Sequence, residues 1–272
     1  MNLLENIRLA LRSIRANLLR AILTLMIIAF GIMALVGILT AIDSTIYSLN
    51  DSFSDLGANV FEIDPLSSDG ARGRRGGFVE KRGKNFTYRE AVDFKERFIF
   101  PAETSISFNC TRNAAVGFGE TKTNPNVGIY AVNENYLEAK GFDVAIGRNF
   151  SASEALDGLP IGIIGADIVN LLFDGKPEKA FNKVISIGKL KIKVIGILAS
   201  KGSAMGGNED RRVIIPLATG KKYYANANSN YNILVAVNEP TQIDYGIAVA
   251  TGLLRNIRNL RTWDDNDFEI QR

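Results

Sequence analysis

Apolar positions follow different periods in different parts of the chain, and those periods predict its organisation. Over 21–42 there is no polar interruption: AILTLMIIAFGIMALVGILTAI carries no charge, and Thr24 and Thr40 are its most polar residues. As a helix rising about 1.5 Å per residue it is roughly 33 Å long, enough to cross a bilayer core. Gly31 and Gly37 are tolerated in a membrane helix. The pattern predicts a transmembrane helix over 21–42. Before it, Leu4, Ile7, Leu11, Ile14 and Leu18 recur at spacings of three and four, with Arg8, Arg12 and Arg15 off that stripe. That predicts an amphipathic helix over 1–20, lying in the headgroup layer or packed on a partner protein. After the span, Ile42, Ile46, Leu49 and Phe53 keep the helical spacing. A stalk over 43–57 is expected, either coupling movement between a membrane bundle and an external domain or simply resting one face on that domain.

Beyond 57 the periods shorten. Strands are expected at 59–65, 104–109, 114–119, 127–132, 160–165, 183–187, 190–198, 212–217, 232–237 and 267–270. Thr87 with Glu90 has the form of a capping box and starts a helix to about 98. Further helices are expected at 134–140, 166–173 and 241–256. Two stretches read as loops: 66–85, with Arg72, Arg74, Arg75, Lys81, Arg82 and Lys84 among glycines and serines, and the glycine-rich 200–211. The stretch 141–150 reads as turn-rich. The last strand–helix–strand order suggests an α/β unit closing on the strand and helix of 59–98. The expected fold class is α+β, with these boundaries: an N-terminal helix (1–20), transmembrane helix (21–42) and stalk (43–57), then an extracytoplasmic α/β subdomain (58–140 and 223–272) interrupted by an inserted β-rich subdomain (141–222).

Charge adds direction. Arg8, Arg12, Arg15 and Arg20 precede the span, whereas Asp43, Asp51, Asp55 and Glu62 follow it, with no Lys or Arg before Arg72. The positive-inside rule then places the N-terminus in the cytoplasm, those four arginines at the inner membrane interface and the main domain outside. The apolar run is longer than a signal-peptide core, and Leu39-Thr40-Ala41 is a poor cleavage site, so an uncleaved anchor is expected.

Composition removes chemistry rather than adding it. There is no histidine and one cysteine, Cys110. Histidine-based triads, histidine-ligated metals and intrachain disulfides are thereby excluded. Cys110 reads as a small buried hydrophobe. A net charge of +3 without a basic, aromatic-studded stripe argues against nucleic acid. The basic glycine-rich loop lacks the GxxxxGK[ST] order of a phosphate cradle, and no GxSxG, CxxC or HExxH is present. Asp264, Asp265 and Asp267 read as a solvated cluster, and the sequons at Asn50, Asn85, Asn109 and Asn149 carry little weight. No cofactor, metal or catalytic residue is predicted.

An ordered set of short stretches resembles the permease subunits of MacB-type (FtsX-like) ABC transporters. They are 6–10 with Arg12 and Leu19-Arg20-Ala21-Ile22-Leu23-Thr24 leading to Gly31; Leu56-Gly57-Ala58-Asn59; Phe86-Thr87-Tyr88-Arg89-Glu90-Ala91; and Gly147-Arg148-Asn149-Phe150. Then come Ile163-Ile164-Gly165 with Leu172-Phe173, Val194-Ile195-Gly196-Ile197-Leu198, Asp210 with Val213-Ile214-Ile215-Pro216-Leu217, and Asp267-Phe268-Glu269-Ile270. The resemblance implies a periplasmic core domain of two subdomains and motif positions (Gly147, Arg148, Phe150, Gly165, Gly196, Asp210, Pro216) that hold structure. It also implies a permease that couples ATP hydrolysis by a separate ATPase subunit to mechanical movement outside the membrane, for export or efflux, with Ile46, Leu49 and Phe53 carrying the movement. The implied partners are the inner membrane, the ATPase, a second permease copy and, beyond these, a periplasmic adaptor or outer-membrane component. Family members continue with three more membrane helices, so an N-terminal portion of a longer permease is expected. The competing readings are a standalone anchored binding or scaffold protein and, with less to support it, an anchored enzyme. Co-purification with an ATPase separates the first from the second.

Overall fold

The computed structural model describes residues 17–55, 59–66, 83–200 and 210–272. The chain falls into two compact units, Met1–Ser52 and Phe53–Arg272. In the first, helix α1 (Leu18–Asp55) runs unbroken for 38 residues and takes in both the apolar run and the helically spaced residues after it. Most of the expected helix at 1–20, and most of the loops at 66–85 and 200–211, lie outside the described residues.

The second unit begins with β1 (Val60–Pro65), α2 (Tyr88–Arg97), β2 (Ala102–Ala114), β3 (Val116–Phe118), β4 (Thr121–Lys122) and β5 (Val127–Val132). There follow α3 (Tyr136–Ala139), β6 (Val144–Gly147), α4 (Ala152–Asp157), β7 (Ile161–Ile164), α5 (Ala166–Phe173) and α6 (Pro177–Ala180). The chain then forms β8 (Val184–Ile187), β9 (Leu190–Leu198), β10 (Arg212–Pro216), α7 (Leu217–Tyr224), β11 (Tyr231–Val237), α8 (Ile243–Ile257) and β12 (Phe268–Gln271). Among the described residues the strands join one mixed sheet in the order β12-β1-β11-β2-β5-β10-β7-β9-β8-β3-β4, with β6 paired to β9.

Strand alternation explains how one sheet serves two cores. Along β1, Phe61 and Ile63 enter the larger core, while Val60 joins a smaller core on the opposite face. The larger core also takes Ile106 and Phe108, Ile129, Ile233 and Val235 from the neighbouring strands. It is capped by Ala91 and Phe94 of α2 and by Ala250 and Leu254 of α8. Phe94 and Phe98 stack there with centroids 4.9 Å apart. Strands β7 and β10 sit centrally, are buried at every position and carry apolar side chains to both faces. The terminal strand β12 and β11 both pair antiparallel with β1, so the β11–α8–β12 crossover straddles the first strand of the domain. The two halves of the sheet meet at the parallel pairing of β5 with β10.

Asn133 ties the end of β5 to β2. It follows β5, is buried, and continues the β2–β5 ladder with its side chain: Oδ1 accepts from the Ser105 hydroxyl (2.6 Å) and from the Ile106 amide (3.2 Å). Its own amide donates to the Ile106 carbonyl at 3.2 Å. Replacing it by alanine strands two buried donors, each costing about 1–3 kcal/mol. Asn133→Ala should lower unfolding free energy by about 2–4 kcal/mol, read from urea unfolding of the detergent-solubilised protein by circular dichroism.

Candidate functional site: the apolar helix and the motif-bearing turns

Between residues 21 and 42 the surface of α1 is apolar on every side. Over Leu18–Thr45 the mean hydropathy is 2.8, and none of that stretch is buried among the described residues. Leu25, Ile27, Phe30, Met33 and Leu35 all stand more than half exposed. A helix apolar all round is stable only inside a hydrophobic medium. The hydroxyls of Thr24, Thr40 and Thr45 are satisfied by its own backbone, as lipid requires. Thr24 donates to the Arg20 and Ala21 carbonyls (3.1 and 3.0 Å), Thr40 to Val36 (2.8 Å) and Thr45 to Ala41 (2.8 Å). Among the described residues it is the one helix long and apolar enough to cross a membrane. Arg20 is exposed in its first turn, whereas Arg8, Arg12 and Arg15 lie outside the described residues. Ile46, Leu49 and Phe53 fall in its last stretch, where only the backbone path is described.

The motif residues gather at two tight crossings. At the first, Gly147 ends β6 with φ +91°, a left-handed value that a side chain rarely adopts. A Cβ there would run into the Ile195 carbonyl and lie 2.8 Å from the Phe181 ring. Arg148 then donates its amide to the Ile195 carbonyl (3.1 Å) and its guanidinium to both oxygens of Glu154, each at 2.7 Å. Glu154 is at the same time the third residue of a capping box with Ser151 at the start of α4. Its carboxyl is held down near a pKa of about 2, chiefly by the Arg148 guanidinium. Asn149 donates to the Glu134 carbonyl (2.7 Å), and Phe150 inserts into the smaller core. Gly196 faces this turn, and a Cβ on it would meet the Arg148 carbonyl at 2.7 Å. At the second crossing Gly165, before α5, lies against the Asp210 carbonyl so closely that no Cβ fits. Its amide donates to Arg212 (2.9 Å) and that of Asp167 to Asp210 (3.1 Å), while the Asp210 carboxylate accepts from the Ser200 hydroxyl at 2.5 Å. Pro216 closes β10 and leads directly into α7.

Other charged groups are assembled only by the fold. Arg258, with 3% of its side chain exposed, stacks 3.8 Å from the Phe86 centroid and pairs with Asp267 (2.8 Å) and Glu90 (3.5 Å). It thus ties the last strand to the cap of α2. On the opposite face of the sheet Asn232 donates to Asp64 (2.5 Å) and Glu62 (3.1 Å), and Lys140 pairs with Glu62 at 2.7 Å. Burial, reinforced by Glu62 and Glu269 and opposed by Lys140, raises the Asp64 pKa to about 6. Burial likewise pushes the Cys110 thiol up to about 12, so little reactive thiolate is present at neutral pH.

A family model for the MacB-like periplasmic core domain matches residues 21–248. The chain belongs to that family. A macrolide export ATP-binding/permease protein MacB from Azoarcus sp. (strain BH72) is 26% identical over 244 residues, 89% of this chain and 35% of that protein. Another of the same description, from Hyphomonas neptunium, is 27% identical over 270 residues, 98% of this chain and 39% of that protein. The chain therefore spans little more than a third of the length of these curated relatives. The solved periplasmic region of MacB from Actinobacillus actinomycetemcomitans superposes with a TM-score of 0.62 at 15% identity, covering 80% of this chain and 91% of that one. The extracellular domain of the noncanonic ABC-type transporter YknZ from Gram-positive bacteria gives 0.58 at 19% identity, covering 79% of this chain and all of that one. The MacB-like fold, an apolar helix followed by a mixed α/β sheet domain, is common to the match and to the observed architecture.

Two outcomes check the geometry of this MacB-like domain. Gly147→Ala combines a disfavoured φ with a clash against backbone, so it should cost at least about 2 kcal/mol or prevent folding, measured by urea unfolding beside Gly188→Ala as an open-space control. Asp64 binds its proton more tightly folded than unfolded, so its contribution declines as pH rises from about 4 to about 6 and stays unfavourable above. Asp64→Asn should then stabilise the protein at pH 7.5 by on the order of 1 kcal/mol after allowing for partial exposure, with no gain below about pH 4. Thermal unfolding across that pH range checks both the size and the sign.

Proposed function

We propose that the chain is the first membrane helix and external core domain of an ABC transporter permease in the inner membrane, with a cytoplasmic N-terminus and residues 59–272 outside. The observation that carries this reading is the conjunction of a periplasmic-core-domain match over 21–248 with a helix that continues past its apolar window to Asp55. Arg8, Arg12, Arg15 and Arg20 on one side of the span, and acidic residues on the other, support the orientation.

In this reading a separate ATPase subunit supplies the energy and a second permease copy completes the membrane unit. A periplasmic adaptor or outer-membrane component receives the output. The domain does mechanical work: closure at the ATPase moves α1, and Ile46, Leu49 and Phe53 pass the movement outward. The motif residues Gly147, Arg148, Phe150, Gly165, Gly196, Asp210 and Pro216 keep the domain stiff enough to be moved as a body. The residues 141–222 act as a β-rich insertion within the α/β frame of 58–140 and 223–272.

Each glycine placed in a helix interior costs about 1 kcal/mol. The double change Leu49→Gly and Phe53→Gly should therefore loosen the stalk while leaving the ATPase competent. Transport in cells should fall by about fivefold or more, while ATP hydrolysis by the purified complex is retained. Unchanged transport contradicts the stalk's role. Failure of tagged protein to co-purify with any ATPase contradicts the permease reading and favours a standalone anchored binding protein.

A further inference from the structure

Among the described residues β12 is an edge of the sheet, held through β1 alone. The alternation that sends Phe61, Ile63 and Phe268 to the larger core sends Glu62, Asp64 and Glu269 to the other face. In the register of the two strands Asp64 stands directly opposite Glu269, and Glu62 opposite Gln271. Residues placed this way in an antiparallel pair have Cβ atoms about 4.5–5.5 Å apart, and like charges there weaken the pairing.

Three carboxylates crowd this patch against one cation. Glu62 flanks Asp64 on β1 and Glu269 faces it from β12. Lys140, just past α3, pairs with Glu62 at 2.7 Å. From β11 comes the neutral Asn232, whose amide donates to Asp64 (2.5 Å) and to Glu62 (3.1 Å). Glu269 accepts from the Gln271 amide at 2.9 Å. Among the described residues no cation forms an ion pair with Asp64 or Glu269. Arg272, the residue after β12, pairs with Asp244, and Arg112 and Arg212 stand beyond β11, on β2 and β10.

We propose that Asp64 and Glu269 form a proton-operated latch between the first and last strands of the domain. In a mildly acid medium the Asp64 carboxyl keeps its proton and donates it to the Glu269 carboxylate, so a side chain joins the strands as well as the backbone. In a neutral medium both groups are ionised, the facing charges repel, and β12 loosens. Two carboxylates this close favour a single shared proton, and a carboxyl–carboxylate bond is stronger than a neutral one. Burial, then Glu62 and Glu269, raise the Asp64 pKa to about 6 against the pull of Lys140. Asp64 therefore binds its proton more tightly folded than unfolded, and the latch opens as pH rises through about 6. The grip of β12 on β1 thus answers to the acidity around the domain. The latch needs only the folded sheet, so it stands or falls separately from the permease reading.

The test is amide hydrogen exchange of the full chain in detergent, read by mass spectrometry at about pH 5 and about pH 7.5 and corrected for the intrinsic pH dependence of exchange. Protection of β12 should fall by about threefold or more between the two, while that of β9 changes by less than half as much. Asp64→Asn should remove the pH dependence and leave β12 as protected at about pH 7.5 as the native chain is at about pH 5. Glu269→Gln removes the facing charge while leaving the Asp64–Asn232 bond in place, and should raise β12 protection at about pH 7.5 in the same direction. Glu96→Gln, an exposed carboxylate on α2, should change nothing. Equal protection of β12 at both pH values, a parallel change in β9, or a pH dependence that survives in both Asp64→Asn and Glu269→Gln overturns the proposal.

Discussion

An apolar helix that the described residues leave unburied sets the terms for the rest of the molecule. Burying one large aliphatic side chain is worth about 1.5–3 kcal/mol, and α1 exposes many of them over Leu18–Thr45. Leaving that surface in water would cost tens of kcal/mol, more than the roughly 5–15 kcal/mol by which a domain is stable. The helix is therefore solvated by lipid, and its threonines bond back to their own carbonyls as a water-free medium demands. The folded domain begins at β1, only a few residues past Asp55.

Within that domain the sheet does the integrating. Strands β7 and β10 are buried on both faces and give side chains to both cores. The tight crossings at Gly147 and Gly165 bring backbone against backbone where a side chain would force strands apart. Arg148, Glu154 and Ser151 then lock the first crossing to the start of α4. A domain built this way resists internal shear.

Local patterns in the sequence foretold local structure well. The uninterrupted 21–42 run became α1, the Thr87–Glu90 pair forms its capping box, and the strands expected at 127–132 and 190–198 keep those bounds. Strand β6 lies where glycines at 141 and 147 suggested turns, because its partner is β9, some fifty residues on. Helix α4 went unforeseen although Ser151 and Glu154 repeat the very pattern of Thr87 and Glu90. Helix α7 follows Pro216 where a strand was read to 217, since proline is as acceptable before a helix as at a strand's end. Of the chemically interesting groups, the glycine and arginine of the motif turn were visible. The Arg258 clamp and the Asp64–Asn232–Glu62 network were not, because they join residues far apart in sequence and no local spacing announces them.

The central claim is that α1 crosses the membrane and delivers the sheet domain to the outside. Lys189 sits exposed in the β8–β9 turn, and the raised pKa of Cys110 keeps the native thiol slow to react. A Lys189→Cys variant, expressed with its full N-terminus, is treated in intact cells with a membrane-impermeant maleimide small enough to pass an outer membrane. The account predicts that the introduced thiol is labelled before lysis and that the protein stays with the membrane after carbonate washing. Labelling of that thiol only after the inner membrane is broken, or release of the protein by carbonate, would contradict it.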